Sequence, residues 1–285
     1  MPVSRTCGDV TVLALEDGDG PFFEPREVAF PGVDPRLWAE ADRCDPASVS
    51  DGGWRLRFRC FALRFDDGRI IVVDAGIGPA SAPSTWAPLP GRLPDELAAA
   101  GIDRHDVDTV VLTHVHTDHI GWSMDAAGAP YFPNARYLVQ AVEVAAVESR
   151  EPTLARWLLA PLRAAGQLAV ADGTHQLAPG AAVRATPGHT PGHQSVLLTS
   201  GEETLVVTGD LLVHVVQLID PSQPYRYDDD PALARGSRIA VLESAEDLVL
   251  ATPHLGEPFI RAAETKHDQV RKVHHASTTR RAKRL

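Results

Sequence analysis

The sequence predicts an α/β fold built from two similar halves. Three observations carry that expectation. Short apolar, β-prone runs recur in both halves of the chain, segments with helix chemistry separate them, and five of the runs end on an Asp or a His. The 285 residues, 44% apolar and 23% charged, suit a globular chain read here as one domain spanning 1–285. A chain of this length buries a sizeable core without staples, so a bound metal would serve chemistry rather than folding.

The elements follow in order. Residues 1–53 read as a first strand ("DVTVLAL") and a long loop punctuated by Phe22, Phe23, Phe30 and Trp38, with Trp54 just beyond. "WRLRFRCFALRFDDGRIIVVDAG" reads as a hairpin turned by "DDG". "RLPDELAAAG" has Pro94 near its start, acids in its first turn and Gly101 as a stop, which is helix chemistry. "ARYLVQ" is a strand and Ala141 to Ser149 a helix; "TLARWLLAPLRAAG" is a second amphipathic helix, broken near Pro161. In the second half, "AAVRATPGH", "QSVLLTS", "ETLVVTGD" and "LVLATPH" supply strands, with a helix expected over 231–246.

Charge and cysteine usage narrow the function. The net charge is −11, but from Arg261 onward eight Lys/Arg face two Asp/Glu, so the body is more acidic than the total suggests. An acidic body argues against nucleic acid, whose affinity comes largely from Lys/Arg on phosphates. The basic stretch at about 265–285 is expected to be a solvated, disordered tail, with docking on an acidic carrier protein as the alternative. No apolar run approaches the roughly 20 residues that span a bilayer. The three cysteines form no C-x-x-C pair, and the start shows no long apolar h-region, so reduced thiols in a cytoplasmic protein are expected.

The five charged strand ends are Asp74 after "RIIVV", His114 after "TVVLT", His189 after "VRATPG", Asp210 after "TLVVTG" and His254 after "LVLATP". Ligand sites of α/β sheets gather outside the carboxyl ends of strands. Imidazoles and carboxylates packed together away from water are costly unless a cation compensates them. In "THVHTDHIGW", His114 and His116 lie two apart on an extended segment and can grip one ion. Asp118 and His119 diverge toward a second as the chain turns. Asp210 could bridge the two, with His189 and His254 completing their shells. Nitrogen and oxygen donors without thiolate suit Zn²⁺, and also Mn²⁺, Fe²⁺ or Co²⁺.

With these residues in place, the chain resembles the metallo-β-lactamase-fold hydrolases. Their H-x-H-x-D-H signature stands as His114, His116, Asp118 and His119, and the later motifs match His189, Asp210 and His254. The likeness runs over about 60–260 and implies an αβ/βα sandwich with the site at one edge between the halves. It assigns His114, His116 and His189 to the first metal and Asp118, His119 and His254 to the second. Asp210 would bridge them, and Asp74 would orient a ligand histidine. "GDLLVHVVQLIDPS" and "ATPH" look most like the methyl parathion hydrolase branch and its lactonase-like relatives, in which dimers are common, so a homodimer is expected by analogy.

That resemblance implies hydrolysis of a small ester-like substrate by water activated between two metal ions, with Asp118 orienting the nucleophile and shuttling its proton. A lactone is the first expectation; a thioester, including a carrier-bound acyl chain, and a phosphotriester are alternatives. The best-known acyl-homoserine lactonases carry a Tyr where Val213 stands, so His214, Tyr225 and Tyr227 are candidates to steady the developing alkoxide. True β-lactamases with this signature lack the bridging Asp. The flavodiiron pattern has an acid in place of His116, which counts against an iron redox protein. The aromatic N-terminal loop and residues 121–132 could wall the substrate pocket, with Trp122 the first residue to test and ordinary packing of that tryptophan as the alternative.

Overall fold

The computed structural model describes residues 2–50, 53–84 and 90–262. The expected basic tail at 265–285 lies outside the described residues. Strands β1 (Val3–Cys7), β2 (Val10–Pro21), β3 (Val49–Ser50), β4 (Gly53–Phe65), β5 (Ile70–Val73), β6 (Thr109–Val111), β7 (Arg136–Gln140) and β8 (Leu168–Ala171) make the first sheet. Its order is β1-β2-β4-β5-β6-β7-β8, with β3 on β4. Strands β9 (His175–Ala178), β10 (Ala181–Ala185), β11 (Gln194–Ser200), β12 (Glu203–Val207), β13 (Asp247–Ala251) and β14 (Phe259–Arg261) make the second, ordered β14-β13-β12-β11-β10-β9. The β5 to β8 run is parallel, as is the β12–β13 pair.

Alternation along the strands builds the layers. Ile71 and Val73 of β5 and Val111 of β6 face Val183, Val196, Leu205, Val207 and Val249 in a core between the sheets. Val72 and Val110, on the opposite face, pack against helix Leu93–Ala99 and the helical segments between Ala141 and Ala164. On the far side of the second sheet, Val206, Leu248 and Leu250 meet Val241 and Leu242 of helix Pro231–Leu242. The result is the expected four-layer αβ/βα sandwich.

The N-terminal region differs from the expected strand and long loop. β2 continues through the acidic "EDGDGP" to Pro21, paired with β4 as far as Arg55 across a register shift between Glu16 and Gly18. Its carboxylates face arginines across the ladder: Arg57 pairs with Glu16 at 2.9 Å and Arg55 with Asp19. Opposite charges on facing strands stabilise a segment whose own composition disfavours strand. Beyond it, Asp34 caps helix Pro35–Cys44, accepting from the Arg36 amide at 2.8 Å with Pro35 at the first helical position. This region packs Phe22, Phe30, Trp38, Trp54 and Phe58 into an aromatic cluster with Val213 and Tyr225.

Two helix ends also move. The break expected near Pro161 falls one turn earlier, as a π-helical turn over Ala155–Leu159. Proline has no amide N–H and its ring crowds the carbonyl four residues back, so the irregularity appears on its N-terminal side. The helix expected over 231–246 closes at Leu242.

Candidate metal centre

All five charged strand ends meet at one rim between the sheets. The loop after β6 carries His114 and His116 and then a short helical turn, Thr117–Ile120, that presents Asp118 and His119. β10, β12 and β13 deliver His189, Asp210 and His254. The donor atoms form two groups: His114, His116, His189 and Asp210, and separately Asp118, His119 and His254, each group within 4.8 Å of itself.

Asp210 joins the groups. Its Oδ2 lies 3.2 Å from His189 Nε2 and 3.8 Å from His114 Nε2. Its Oδ1 lies 3.0 Å from both His119 Nε2 and His254 Nε2. Asp118 Oδ2 is 3.8 Å from each of the latter two nitrogens.

The outward ring nitrogens are committed elsewhere, and their partners fix the tautomers. His254 Nδ1 meets the Arg57 carbonyl at 2.7 Å, so it must donate. His119 Nδ1 donates to Asp74 at 2.8 Å and His189 Nδ1 to Asp228 at 3.1 Å. Thr113 donates its hydroxyl to Asp74 at 2.9 Å and can then accept from His114 Nδ1 at 3.0 Å. What remains inside is a set of facing ring nitrogens 3.0 to 3.2 Å apart, His119 against His254 and His116 against His189, which need a proton or a cation between them. Lone pairs do not satisfy one another; cations between them would. The donor set therefore fits two divalent ions.

The electrostatics show where positive charge is wanted: burial opposes protonation of His119, but the charges of Asp210, Asp74 and Asp118 override it and hold that ring well above the usual imidazole range. Burial, with the neighbouring His119 and His116, holds His114 well below the usual imidazole range, and burial with His189 brings His116 down to about 3. Burial works against protonation of His189 too, but the Asp210 charge overrides it and raises that group to about 9. Burial likewise opposes Asp210, yet the surrounding histidines hold its carboxyl well below the ordinary carboxylate range.

Asp74 sits in the left-handed region at φ 63, the one non-glycine residue with positive φ among the described residues. Its two oxygens bind the Thr113 amide, the Thr113 hydroxyl and His119, which over-determines the strained backbone. Asp228, not anticipated from the sequence, plays the same part for His189. It lies 3.6 Å from the buried Arg238, whose guanidinium also reaches the carbonyls of Leu211, Pro221 and Gln223. Arg59 does comparable work at the other end, donating to the carbonyls of Leu255 and Gly256 beside His254.

A cavity of about 400 Å³ opens onto the centre, with His116, Asp118, His189, Asp210 and His254 at its base. Phe22, Phe23, Ala146, Val147, Leu154, Tyr225 and Tyr227 line its walls. The expected tyrosines are there, but Trp122 and His214 are not among the lining residues. Trp122 turns away to donate from Nε1 to the buried Asp17 at 3.0 Å and packs on Tyr131 at 5.3 Å. His214 sits among Phe30, Trp38 and Trp54, accepting the Val216 amide, and burial with nearby Arg26 lowers its pKa to about 3. Trp122→Phe should therefore cost stability, about 2 kcal/mol for one bond to a buried carboxylate, while kcat stays within about twofold. Chemical denaturation and turnover, measured side by side, check this.

A two-sheet sandwich with this donor set at its rim defines a metal-binding protein of a recognisable kind. The chain belongs to the metallo-beta-lactamase superfamily, whose signature matches residues 59–254. It is 31% identical over 275 residues to metallo-beta-lactamase domain-containing protein 1 of Mus musculus, covering 93% of this chain and 89% of that one. It is 26% identical over 211 residues to an N-acyl homoserine lactonase of Bacillus cereus, covering 68% and 80%. Among solved structures it is similar to AidC, a dizinc quorum-quenching lactonase in complex with a product, at TM-score 0.74 and 22% identity over 91% of this chain and 92% of that one.

Proposed function

We propose that the protein is a two-metal hydrolase of small ester-like molecules, with a lactone as its substrate. The cavity carries this reading: a donor-rich base under largely apolar walls. Arg150 is the one permanent cation among the described residues that line it, and its guanidinium is 2.6 Å from Asp229. A neutral ester suits such a pocket better than an anionic substrate would. The lactonases among the curated relatives support the same substrate class.

His114, His116 and His189 would hold one ion, Asp118, His119 and His254 the other, with Asp210 between them; the N/O donor set favours zinc. When bound, such ions polarise a carbonyl and lower the pKa of water toward about 7. The chain's own groups do the rest. Asp118, at the base of the cavity, orients the attacking water and takes its proton. Asp74 and Asp228 hold the His119 and His189 rings in one tautomer and direction. Tyr225 offers a phenol O–H to the oxygen that gains charge. Phe22 and Phe23 of the N-terminal strap cover the apolar side of the substrate.

The shared core between the sheets supports reading the chain as one domain. The buried thiols of Cys7 and Cys60 support a reducing, cytoplasmic setting, and no described helix is long and apolar enough to cross a membrane.

The test is a substrate panel on zinc-reconstituted protein: homoserine lactones, other lactones, thioesters, phosphotriesters and a β-lactam. Lactones are expected to give the highest kcat/KM. Turnover of a thioester or phosphotriester with none of any lactone would sink the assignment.

A further inference from the structure

Three buried carboxylates brace the centre from outside the donor set, Asp74, Asp228 and Glu143, and they reach different parts of it; Asp228 holds only the His189 ring. Asp74 touches both clusters, His119 directly and His114 through Thr113. Glu143 is the third residue of helix Ala141–Arg150 and 2% exposed. Its Oε1 accepts the amide of Val115, the residue between His114 and His116, at 2.9 Å. Its Oε2 accepts the amide of Gly192, in the loop that carries His189, also at 2.9 Å. The fit is close: a Cβ on Gly192 would fall 2.3 Å from the Glu143 backbone nitrogen.

We propose that Glu143 is a positioning residue for the first cluster alone. One carboxylate sets the spacing between the loop bearing His114 and His116 and the loop bearing His189. These loops belong to different sheets, and side chains on separate loops converge only if their backbones are held in register. His119 and His254 hang on Asp74 and the Arg57 carbonyl instead, and no hydrogen bond links Glu143 to them. Asp74 serves both halves, but Glu143 reaches the first alone, so the first half can be loosened through Glu143 while the other stands.

A carboxyl group presents an oxygen to each of the two amides, whereas a carboxamide has only one. In Glu143→Gln, one of the two amides must face an NH₂ group, donor against donor, and that loop must move to find another partner. This inference rests on the two-metal reading, and the experiment separates the two. Metal-stripped wild type and E143Q are titrated with Zn²⁺ against a chromogenic chelator, with bound zinc counted after desalting. Wild type should hold two equivalents tightly. E143Q should keep one at wild-type affinity and bind the other about 10- to 100-fold more weakly, the loss usual for a residue that supports metal ligands. Gly192→Ala forces the same loop away from Glu143 without removing a carboxylate and should give the same selective loss. It decides the matter if E143Q does not fold. Two unaltered equivalents in the variants, or equal weakening of both, overturns the division. Fewer than two equivalents in wild type would instead overturn the two-metal reading, and this inference with it.

Discussion

Asp210→Ala is expected to remove activity on every substrate the wild type turns over, with a fall in kcat/KM well beyond about 100-fold, and to lower the bound metal content. Changes at groups that merely support metal ligands already cost about 10- to 100-fold, and Asp210 stands closer to the chemistry than any of them. Among the described residues it is the one side chain that both clusters share, with Oδ2 toward His114 and His189 and Oδ1 toward His119 and His254. Removing it withdraws a negative charge from among four imidazoles and leaves their lone pairs opposed without an anion to offset bound cations. Asp210→Asn separates charge from shape, because it keeps the volume and one acceptor oxygen. It should retain more metal than the alanine variant yet recover little turnover. Zinc analysis and kcat/KM on the same preparations check both, and full activity of Asp210→Ala would falsify the two-metal mechanism.

The donor set was legible in the sequence because it is a local signal repeated. Each of five runs changes from apolar to Asp or His within one to four residues of a strand end, and parallel topology brings such ends to one rim. What supports the donors was not legible, because those contacts are made across the fold. Glu143 reads as an ordinary first-turn acid of a helix, and nothing near it signals that its oxygens reach Val115 and Gly192. Asp228 stands in "YDDDP", where Asp230 is the helix cap, and the run reads as turn chemistry.

Trp122 could not be placed from sequence for a related reason. As an aromatic residue in the 121–132 segment it is compatible with either a pocket wall or packing, and the structure shows packing. A Cβ on Gly121 would lie 2.2 Å from the Ile77 backbone, so the chain there is pressed against the loop after β5. The turn carries the next side chain away from the cavity and toward Asp17. One missed element did carry a usable signal. Asp34 before Pro35 is a helix start by its chemistry, obscured by the proline and glycine on either side.

Tyr225→Phe is expected to lower kcat about 100-fold, the low end for losing one hydrogen-bond donor to a developing oxyanion. KM should stay within a few-fold, and metal content should not change. The ring is held between Phe30, at 4.9 Å and 29°, and His189, at 6.0 Å and 19°. The residue is 5% exposed and lines the cavity, and its hydroxyl makes no hydrogen bond to another described residue. Lining the cavity, it can donate that O–H to a bound ligand. Burial, reinforced by the charges of Asp210 and Asp118, pushes its pKa well above the phenol range. It therefore stays protonated at neutral and alkaline pH and acts as a donor, so the loss in Tyr225→Phe should be nearly constant from pH 6 to 9. The size of the loss should track the leaving group. An alkyl lactone, whose departing alkoxide needs stabilising most, should suffer more than an aryl ester whose phenolate leaves readily. Tyr227 shares the cavity wall, but burial and the adjacent Glu24 shape its hydroxyl rather than the metal-side carboxylates. Tyr227→Phe should consequently run close to wild type. If Tyr225→Phe keeps wild-type kcat on an alkyl lactone, the donor lies elsewhere in the cavity.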